Sequence, residues 1–486
     1  MLLFVSLVFT VALLAGLVVG IILVRKPNGT RMPTPDSTLP SPAPRVLDAL
    51  TQRALLIGLL ALLMLIPLVF VDGIVSERAD RYREVLGDIA RTWGQAQTLA
   101  GPVLVVPFTE ASVVEEAVVD DDGNASTARR TVRRQQVAHF LPNTLELDVT
   151  LSDQIRERGL FSALVYDADI ALEASFHPVR VESLSDTLET IHWDRAWVAV
   201  GLSDTRAIND VSGFSWNGES RTLAPGTRTS ALPAGFHAPA KVAEDRAHTL
   251  EMQLSAKGSG SFHFAPFGKT TRVTLRSDWP HPSFQGSALP NDHEISDAGF
   301  TADWSVPHLA RNYPQRWVGD REQDLFEFTA GVSLFETVSL YSQVTRSVKY
   351  GLLFIGLTYL TLLIFEIALV RPLHPVQYVL VGVALSVFFL MLLALSEHLG
   401  FLPAYVSAAT VTILMIAAYT GAVLRSAKRG VGILVLLTGL YAILYSLLQL
   451  EDYALLLGIA LLVGVIATLM LVTRNLHRGE PVEAAA

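Results

Sequence analysis

The sequence predicts an α+β membrane protein, in which a transmembrane helical bundle carries a large β-sandwich-like extracytoplasmic domain. Three observations lead there. Hydrophobic residues make up 51% of the 486 and charged ones only 17%, below the roughly one quarter usual in soluble domains. The apolar excess collects near the N-terminus and after about residue 350. The middle has the polarity of a water-exposed domain, and its apolar residues alternate with period two.

A span needs about twenty mainly apolar residues to cross the hydrocarbon. Seven segments qualify: Leu2–Val24, Ala54–Val71, Tyr350–Val370, Val376–Leu395, Phe401–Leu424, Val431–Leu448 and Ala454–Val472. Lys and Arg beside span ends stay on the cytoplasmic side, and the cations fall on alternate loops. Arg25, Lys26, Arg31, Arg45 and Arg53 lie between the first two spans, Arg371 follows the third, Arg425, Lys428 and Arg429 follow the fifth, and Arg474 and Arg478 follow the last. The other short loops hold Glu397 with His398 and Glu451 with Asp452, and no cation. This pattern predicts the large domain outside and the C-terminus inside.

The implied organisation is an extra N-terminal span (1–24), a proline-rich cytoplasmic linker (25–53), a span (54–71), a juxtamembrane helix (72–100), a β-rich domain (101–347), a five-span membrane domain (348–472) and a cytoplasmic tail (473–486). The first span lacks a positive leader and reads poorly as a secretory signal. Its Gly16 and Gly20 form a GxxxG pair of the kind that lets two helices approach, the one homodimer contact the sequence suggests. Translation starting at Met32 would remove this span and alter nothing after it.

Beyond the second span, Tyr82, Val85, Ile89 and Trp93 recur at helical spacing, and Gly101 with Pro102 is expected to stop that helix. The period then changes to two: Ala168, Ile170, Leu172, Ala174 and Phe176; Leu250, Met252 and Leu254; Val273 and Leu275; Phe300, Ala302, Trp304 and Val306. Such alternation marks strands with one buried face, and many short strands between turns favour a sandwich. In the segment Val103–Phe140, Asp122–Gly123 is a hairpin dipeptide, and the return limb sets Arg129, Arg130, Arg133 and Arg134 against Glu115 and Glu116. A long hairpin with its tip near Asp121–Ser126 is expected.

Chemistry-bearing motifs are scarce. The chain has no cysteine, which excludes disulfides, thiol catalysis and zinc–thiolate sites. The histidines of the middle domain show no HxH, HxxxH or HExxH spacing, so no metal and no cofactor is expected. Gly213–Phe214–Ser215–Trp216–Asn217 lacks the second glycine of a nucleophile elbow. Gly258–Ser259–Gly260–Ser261 lacks the lysine of a phosphate loop and reads as a turn. The middle domain carries more acid than base, which disfavours nucleic acid as a partner. Within the spans Glu366 is the one acidic residue; intramembrane carboxylates often mark ion paths, but Arg371, about a turn away, offers an ion pair at the interface. Glu397, His398, Glu451 and Asp452 sit in the outer loops, solvated or placed to dock the β-domain.

The run RYREVLGDIARTWGQAQTLAGPVLVVPF (Arg81–Phe108) resembles the opening signature of the CreD family of bacterial inner-membrane proteins. The likeness recurs at LPNTLELDVTL (Leu141–Leu151), AWVAVGLSD (Ala196–Asp204), TRVTLRSDWPHPSFQGSALP (Thr271–Pro290) and VSLFETVSLY (Val332–Tyr341). It is strongest at KYGLLFIGLTYL (Lys349–Leu360), HPVQYVLVGVALSVFFLMLLALSEHLGF (His374–Phe401) and EDYALLLG (Glu451–Gly458). The extra leading span and proline linker depart from the family, which usually begins just before Ala54. The resemblance implies an inner-membrane protein linked to cell-envelope integrity, colicin tolerance and a two-component carbon-source regulon, with no catalytic residues to carry over. The expected partners are the lipid bilayer and a periplasmic or envelope component. Two other readings stay open: a transporter or channel built from the C-terminal spans, and an envelope hydrolase. A polar cavity in the bundle would favour transport, a dry apolar interior anchoring, and paired carboxylates in a pocket of the β-domain enzymology.

Overall fold

The structure, a computed structural model, describes residues 46–119, 125–181, 185–319, 325, 328–334, 340–369 and 373–449, with scattered positions between 456 and 470. The chain forms two compact units, one of Tyr82–Thr337 and one of Met1–Arg81 with Val338–Ala486.

Helices α1 (Val46–Leu63) and α2 (Leu65–Trp93) come first. Strands β1 (Gln97–Val119), β2 (Ala125–Phe140), β3 (Thr144–Arg158), β4 (Phe161–Phe176), β5 (Leu188–Ile191) and β6 (Trp197–Leu202) follow. Next are β7 (Ile208–Trp216), β8 (Glu219–Ser220), β9 (Ala224–Pro225), β10 (Gly235–Pro239), β11 (His248–Ser259) and β12 (Ser261–Phe264). The strands end with β13 (Thr270–Ser277), β14 (Pro282–Gly286), β15 (Asp292–Ser296), β16 (Gly299–Pro307), β17 (Arg316–Val318) and β18 (Ala330–Leu334). Helices α3 (Leu340–Lys349), α4 (Gly351–Leu369), α5 (Pro375–Leu399), α6 (Phe401–Val423) and α7 (Ala427–Gln449) close the described chain.

In the β-rich unit the strands make two sheets. One runs β14-β18-β12-β1-β6-β10-β9, with β2 and β5 also along β1 and β17 on β2; the other runs β15-β16-β13-β3-β4-β11-β7-β8. The alternating residues that predicted strands are their buried faces: Ile170 and Leu172 on β4, Leu250, Met252 and Leu254 on β11, Val273 and Leu275 on β13, and Phe300, Ala302 and Trp304 on β16. They join one apolar core with Leu104 and Val106 of β1, Val198 and Val200 of β6, and Phe262 and Phe264 of β12. A side chain stands on alternate faces along a strand, so this core needs residues from both sheets.

Helix α2 ends at Trp93, not at Ala100 as the sequence suggested. Gly101 and Pro102 lie inside β1, where the pairing with β6 slips between Ala100 and Val103. Proline has no N–H to give the ladder, and the bulge absorbs it. Gly101 has φ 119, and a Cβ there would meet the Ala199 carbonyl at 3.2 Å. The last turns of α2 pack on the β3–β4 limb through Ile89, Ala163 and Val165. Trp93 lies under two cations, with Arg156 Cζ and Lys257 Nζ each 4.2 Å from its ring centroid.

The expected hairpin is present. Strands β1 and β2 pair antiparallel from Leu104↔Phe140 to Val119↔Ala125, so Ala125 and Ser126 are strand, and the turn falls among residues 120–124, outside those described. Glu115 faces Arg129 and bonds it at 3.0 Å. Glu116 faces Ala128, and Arg133 turns to Glu189 at 2.7 Å.

Among the described residues, the helices Leu55–Trp93, Pro375–Leu399, Phe401–Val423 and Ala427–Gln449 are long and apolar enough to cross a membrane. The predicted spans from Ala54, Val376, Phe401 and Val431 fall on them, and Tyr350–Val370 falls on the apolar helix α4. Leu2–Val24 with Gly16 and Gly20, and most of Ala454–Val472, lie outside the described residues. A one-residue break at Met64 separates α1 from α2, just ahead of Pro67, whose ring cannot donate to the Leu63 carbonyl. The β-rich region ends earlier than the expected residue 347. Tyr341, Val344 and Val348 form one buried helical face of α3, which belongs to the helical unit.

Candidate functional site

The helical unit carries one polar cluster around a buried carboxylate. Glu366 sits near the end of α4, an otherwise apolar helix, and is 5% exposed. Arg53 of α1 donates from Nη1 to its Oε1 at 2.8 Å. The Tyr378 hydroxyl, on the first turn of α5, donates to its Oε2 at 2.9 Å. Tyr378 is held in turn, because the Tyr359 hydroxyl donates to its backbone carbonyl at 2.6 Å and the two rings meet edge to face at 5.4 Å. Space for the Tyr359 hydroxyl comes from Gly382, where a Cβ would lie 2.1 Å from that oxygen and 2.6 Å from Met64 Sδ. Three segments, around Arg53, Glu366 and Tyr378, thus meet at one carboxylate.

The described partner is one that the sequence did not suggest. Sequence proximity pointed to Arg371, which lies outside the described residues; among the described residues the bond comes from Arg53, 313 positions away. The sequence did hold a signal. The charge pattern puts the start of the second span and the end of the third on the same side, so Arg53 and Glu366 share a level. Arg53 was read only as a topological charge.

Glu397 and His398 are not in a loop. They occupy the last turn of α5, and Gly400, at φ 79, is the single residue between α5 and α6. Only glycine takes that conformation at little cost. The Tyr341 hydroxyl donates to Glu397 Oε1 at 3.0 Å, so this carboxylate fastens α3 to α5; His398 is exposed. Glu451 and Asp452 lie outside the described residues, so the four loop residues are not brought together here.

Helices α6 and α7 flank an open groove of about 440 Å³ lined by Leu402, Tyr405, Val406, Ala409, Tyr441 and Tyr445 among others. Its walls are almost wholly apolar. The Tyr405 hydroxyl is occupied by the Tyr441 carbonyl at 2.8 Å. Buried hydroxyls of α5 and α6 bond their own backbone, as Ser386 does to Gly382 at 3.0 Å and Thr420 to Ile416 at 2.6 Å.

In the β-rich unit several buried polar side chains bond the strands and loops around them. Buried Asp204 accepts from the Gln95 N–H, the Arg206 N–H and Arg206 Nε at 3.3, 3.2 and 3.0 Å. Burial alone pushes this carboxyl up, but those bonds outweigh it and hold it below the usual carboxylate range. Gln97, fully buried, bonds the Asp204 and Lys257 carbonyls. His139 stacks on Trp317 at 4.8 Å and meets Thr229 Oγ1 at 2.8 Å. His248 stacks on Trp216 at 5.3 Å and meets Asn217 at 2.9 Å. Burial lowers the His263 imidazole. Ser215 lies within strand β7, paired with Glu251, rather than at a strand-to-helix turn, and Gly260, at φ 72, turns β11 into β12. Among the described residues no three His, Asp or Glu side chains gather as a metal site would require.

Fold and site together define a multi-span membrane protein that carries a two-sheet β unit between its helices. The model of the family "Inner membrane protein CreD" matches residues 49–478. The chain is 33% identical over 419 residues to the inner membrane protein CreD of Escherichia coli (strain K12), covering 85% of this chain and 90% of that protein. It belongs to the CreD family of inner membrane proteins. The match begins at residue 49, after the predicted first span and the proline-rich stretch.

Proposed function

We propose that this protein is a non-catalytic component that supports cell-envelope integrity and colicin tolerance. Its β-rich unit lies on the periplasmic side and engages an envelope partner, while the helices anchor it with the C-terminus in the cytoplasm. One observation carries the choice of anchoring over transport. The buried carboxylate has both oxygens occupied, by Arg53 and Tyr378, and the groove beside α6 and α7 is apolar, so neither supplies the hydrated polar path that a permeating solute needs. The cation distribution supports the orientation. Docking of the β unit by the acidic residues Glu397, Glu451 and Asp452, and a homodimer through Gly16 and Gly20, belong to the same reading.

Two experiments test it. Alkaline phosphatase fused after Gly213 is expected to be active and fused after Arg429 silent; the reverse pattern overturns the orientation. Photo-crosslinkers placed over the β-rich unit in living cells are expected to trap one envelope component whose loss reproduces the phenotype of deleting this gene. Substrate uptake by proteoliposomes of the pure protein would overturn the anchoring reading.

A further inference from the structure

Helices α6 and α7 touch at one end and part toward the other. Near the end of α6, a Cβ on Gly421 would lie 3.2 Å from the Gly430 Cα of α7, and one on Gly430 3.1 Å from the Ala417 carbonyl oxygen. No side chain separates the two backbones there. Toward the far end, Tyr405 of α6 stands against Tyr441 and Tyr445 of α7, with ring centroids 6.4 and 5.3 Å apart. These rings hold open the groove of about 440 Å³, which leaves Leu402 50%, Val406 54% and Leu414 53% exposed. Three of its hydroxyls are already bonded: Tyr405 donates to the Tyr441 carbonyl, Thr410 to the Val406 carbonyl at 2.7 Å and Thr438 to the Leu434 carbonyl at 2.8 Å. The groove therefore suits hydrocarbon, and among the described residues no helix fills it.

The chain supplies an apolar segment of its own that lies outside the described residues. Leu2–Val24 is long enough to span, and the 21 residues 25–45 join it to α1 at Val46. At about 3.1 Å per residue, a proline-rich tether of this length reaches roughly 65 Å. Packed helix axes are only about 8–10 Å apart, so every flank of the helical unit is within reach. The level is constrained as well. Arg53 of α1 meets Glu366 near the end of α4 and Tyr378 near the start of α5, so those ends share one side. Helix α6 runs back from the far end of α5 and finishes on that same side at Val423. A polar, cationic linker does not cross the hydrocarbon, so Val24 is level with Val423 and Leu2 with Phe401. Both stretches are 23 residues long, which sets Leu3–Ala15 beside Leu402–Leu414 of the groove wall.

We infer that Leu2–Val24 packs into the α6–α7 groove of its own chain. Side-chain size agrees with that register. Phe4, Leu7, Val8, Phe9 and Val11 fall beside the open part, where bulk is needed to fill it. Gly16 and Gly20 fall beyond it, level with the end where Gly421 and Gly430 leave no gap, and stay available to a second copy. A tether of this kind keeps the segment at about millimolar effective concentration near its own bundle, which favours its own groove over a partner's. The family match begins at residue 49, so this helix is an addition to the shared helical unit.

The chain has no cysteine, so introduced pairs report alone. Ala442→Cys, exposed in the groove, is combined in turn with Leu7→Cys, Val8→Cys, Phe9→Cys and Thr10→Cys, a full helical turn that points in every direction. A protease site within residues 25–45 of the full-length protein then frees the first segment after oxidation in native membranes. At least one of the four pairs is expected to keep it attached until reductant is added. None is expected to do so with Ala394→Cys, which is exposed on α5 away from the groove. Starting the chain at Met32 is expected to speed labelling of Ala442→Cys by a lipid-soluble maleimide several-fold and to leave that of Ala394→Cys unchanged. No crosslink within one chain, equal crosslinking to Ala394→Cys, or labelling indifferent to the truncation overturns the inference and leaves the groove to lipid. A crosslink formed only between differently tagged copies overturns it in favour of a second copy. The phosphatase fusions read the orientation separately, so failure here leaves the proposed function standing.

Discussion

The Arg53–Glu366 pair should respond unequally to the loss of its two members. The Arg53 side chain is 48% exposed and the Glu366 side chain 6%. Removing one partner of a fully buried pair costs about 3–5 kcal/mol, because the other charge is stranded; an exposed pair costs under about 1 kcal/mol. Arg53→Ala strands the buried carboxylate with the Tyr378 hydroxyl as its remaining described partner, so the expected loss is about 2–4 kcal/mol. Glu366→Gln leaves an arginine that can turn to water, and a glutamine that still accepts from Tyr378, so the expected loss is about 1 kcal/mol. Combining both changes removes the stranded charge and should recover about 1–2 kcal/mol relative to Arg53→Ala. Reversible unfolding of the full-length protein in mild detergent measures this, with far-UV helical signal reporting the helical unit. All seven tryptophans, from Trp93 to Trp317, lie in the β-rich unit, so their fluorescence is an internal control that should not move. If Glu366→Gln proves as costly as Arg53→Ala, or the double variant is worse than Arg53→Ala alone, the carboxylate is not held by this pair.

Other consequences are sharper in sign than in size. Gly382→Ala drives a methyl into the Tyr359 hydroxyl and Met64 and should destabilise the helical unit by about 1–3 kcal/mol, visible in the same unfolding assay. Asp204 is held below its ordinary value of 3.8, so its contribution is complete above about pH 4 and fades as the pH falls through its lowered folded value. Asp204→Asn should flatten that acid limb of the tryptophan melting profile. Trp93→Ala removes the ring beneath Arg156 and Lys257 and should loosen the end of α2 by about 2–4 kcal/mol, read as faster hydrogen exchange in residues 82–93.

What was legible in the sequence was what local pattern encodes. The two-residue period placed Ile170, Leu172, Leu250 and Trp304 on buried strand faces, and helical spacing placed Tyr82, Val85, Ile89 and Trp93 on a helix, which is α2. Local rules misled where a neighbour overrode them. Gly101 and Pro102 signal a stop in isolation, yet become a bulge because β6 pairs with β1 on both sides of them. The strand order was not legible, since β1 lies parallel to β12, more than 150 residues on. The site was half legible: Glu366 stood out as an acid in an apolar run, but its partners came from two other segments, and nothing in a period identifies a tyrosine as a carboxylate's donor rather than core.

The pairing that was hardest to foresee closes the β-rich unit on itself. Gln97, at the start of β1, lies beside Phe262 of β12, and Phe262 lies beside Val332 of β18. The first and last strands of the unit are therefore two strand spacings apart, about 10 Å, with β12 between them. Parallel pairing of the first strand with a late one does within the β-rich unit what Arg53 and Glu366 do within the helical one. Each ties an early segment to one far along the sequence, and no period of two or of 3.6 residues announces such a link, because it depends on which segments meet and not on the pattern within either.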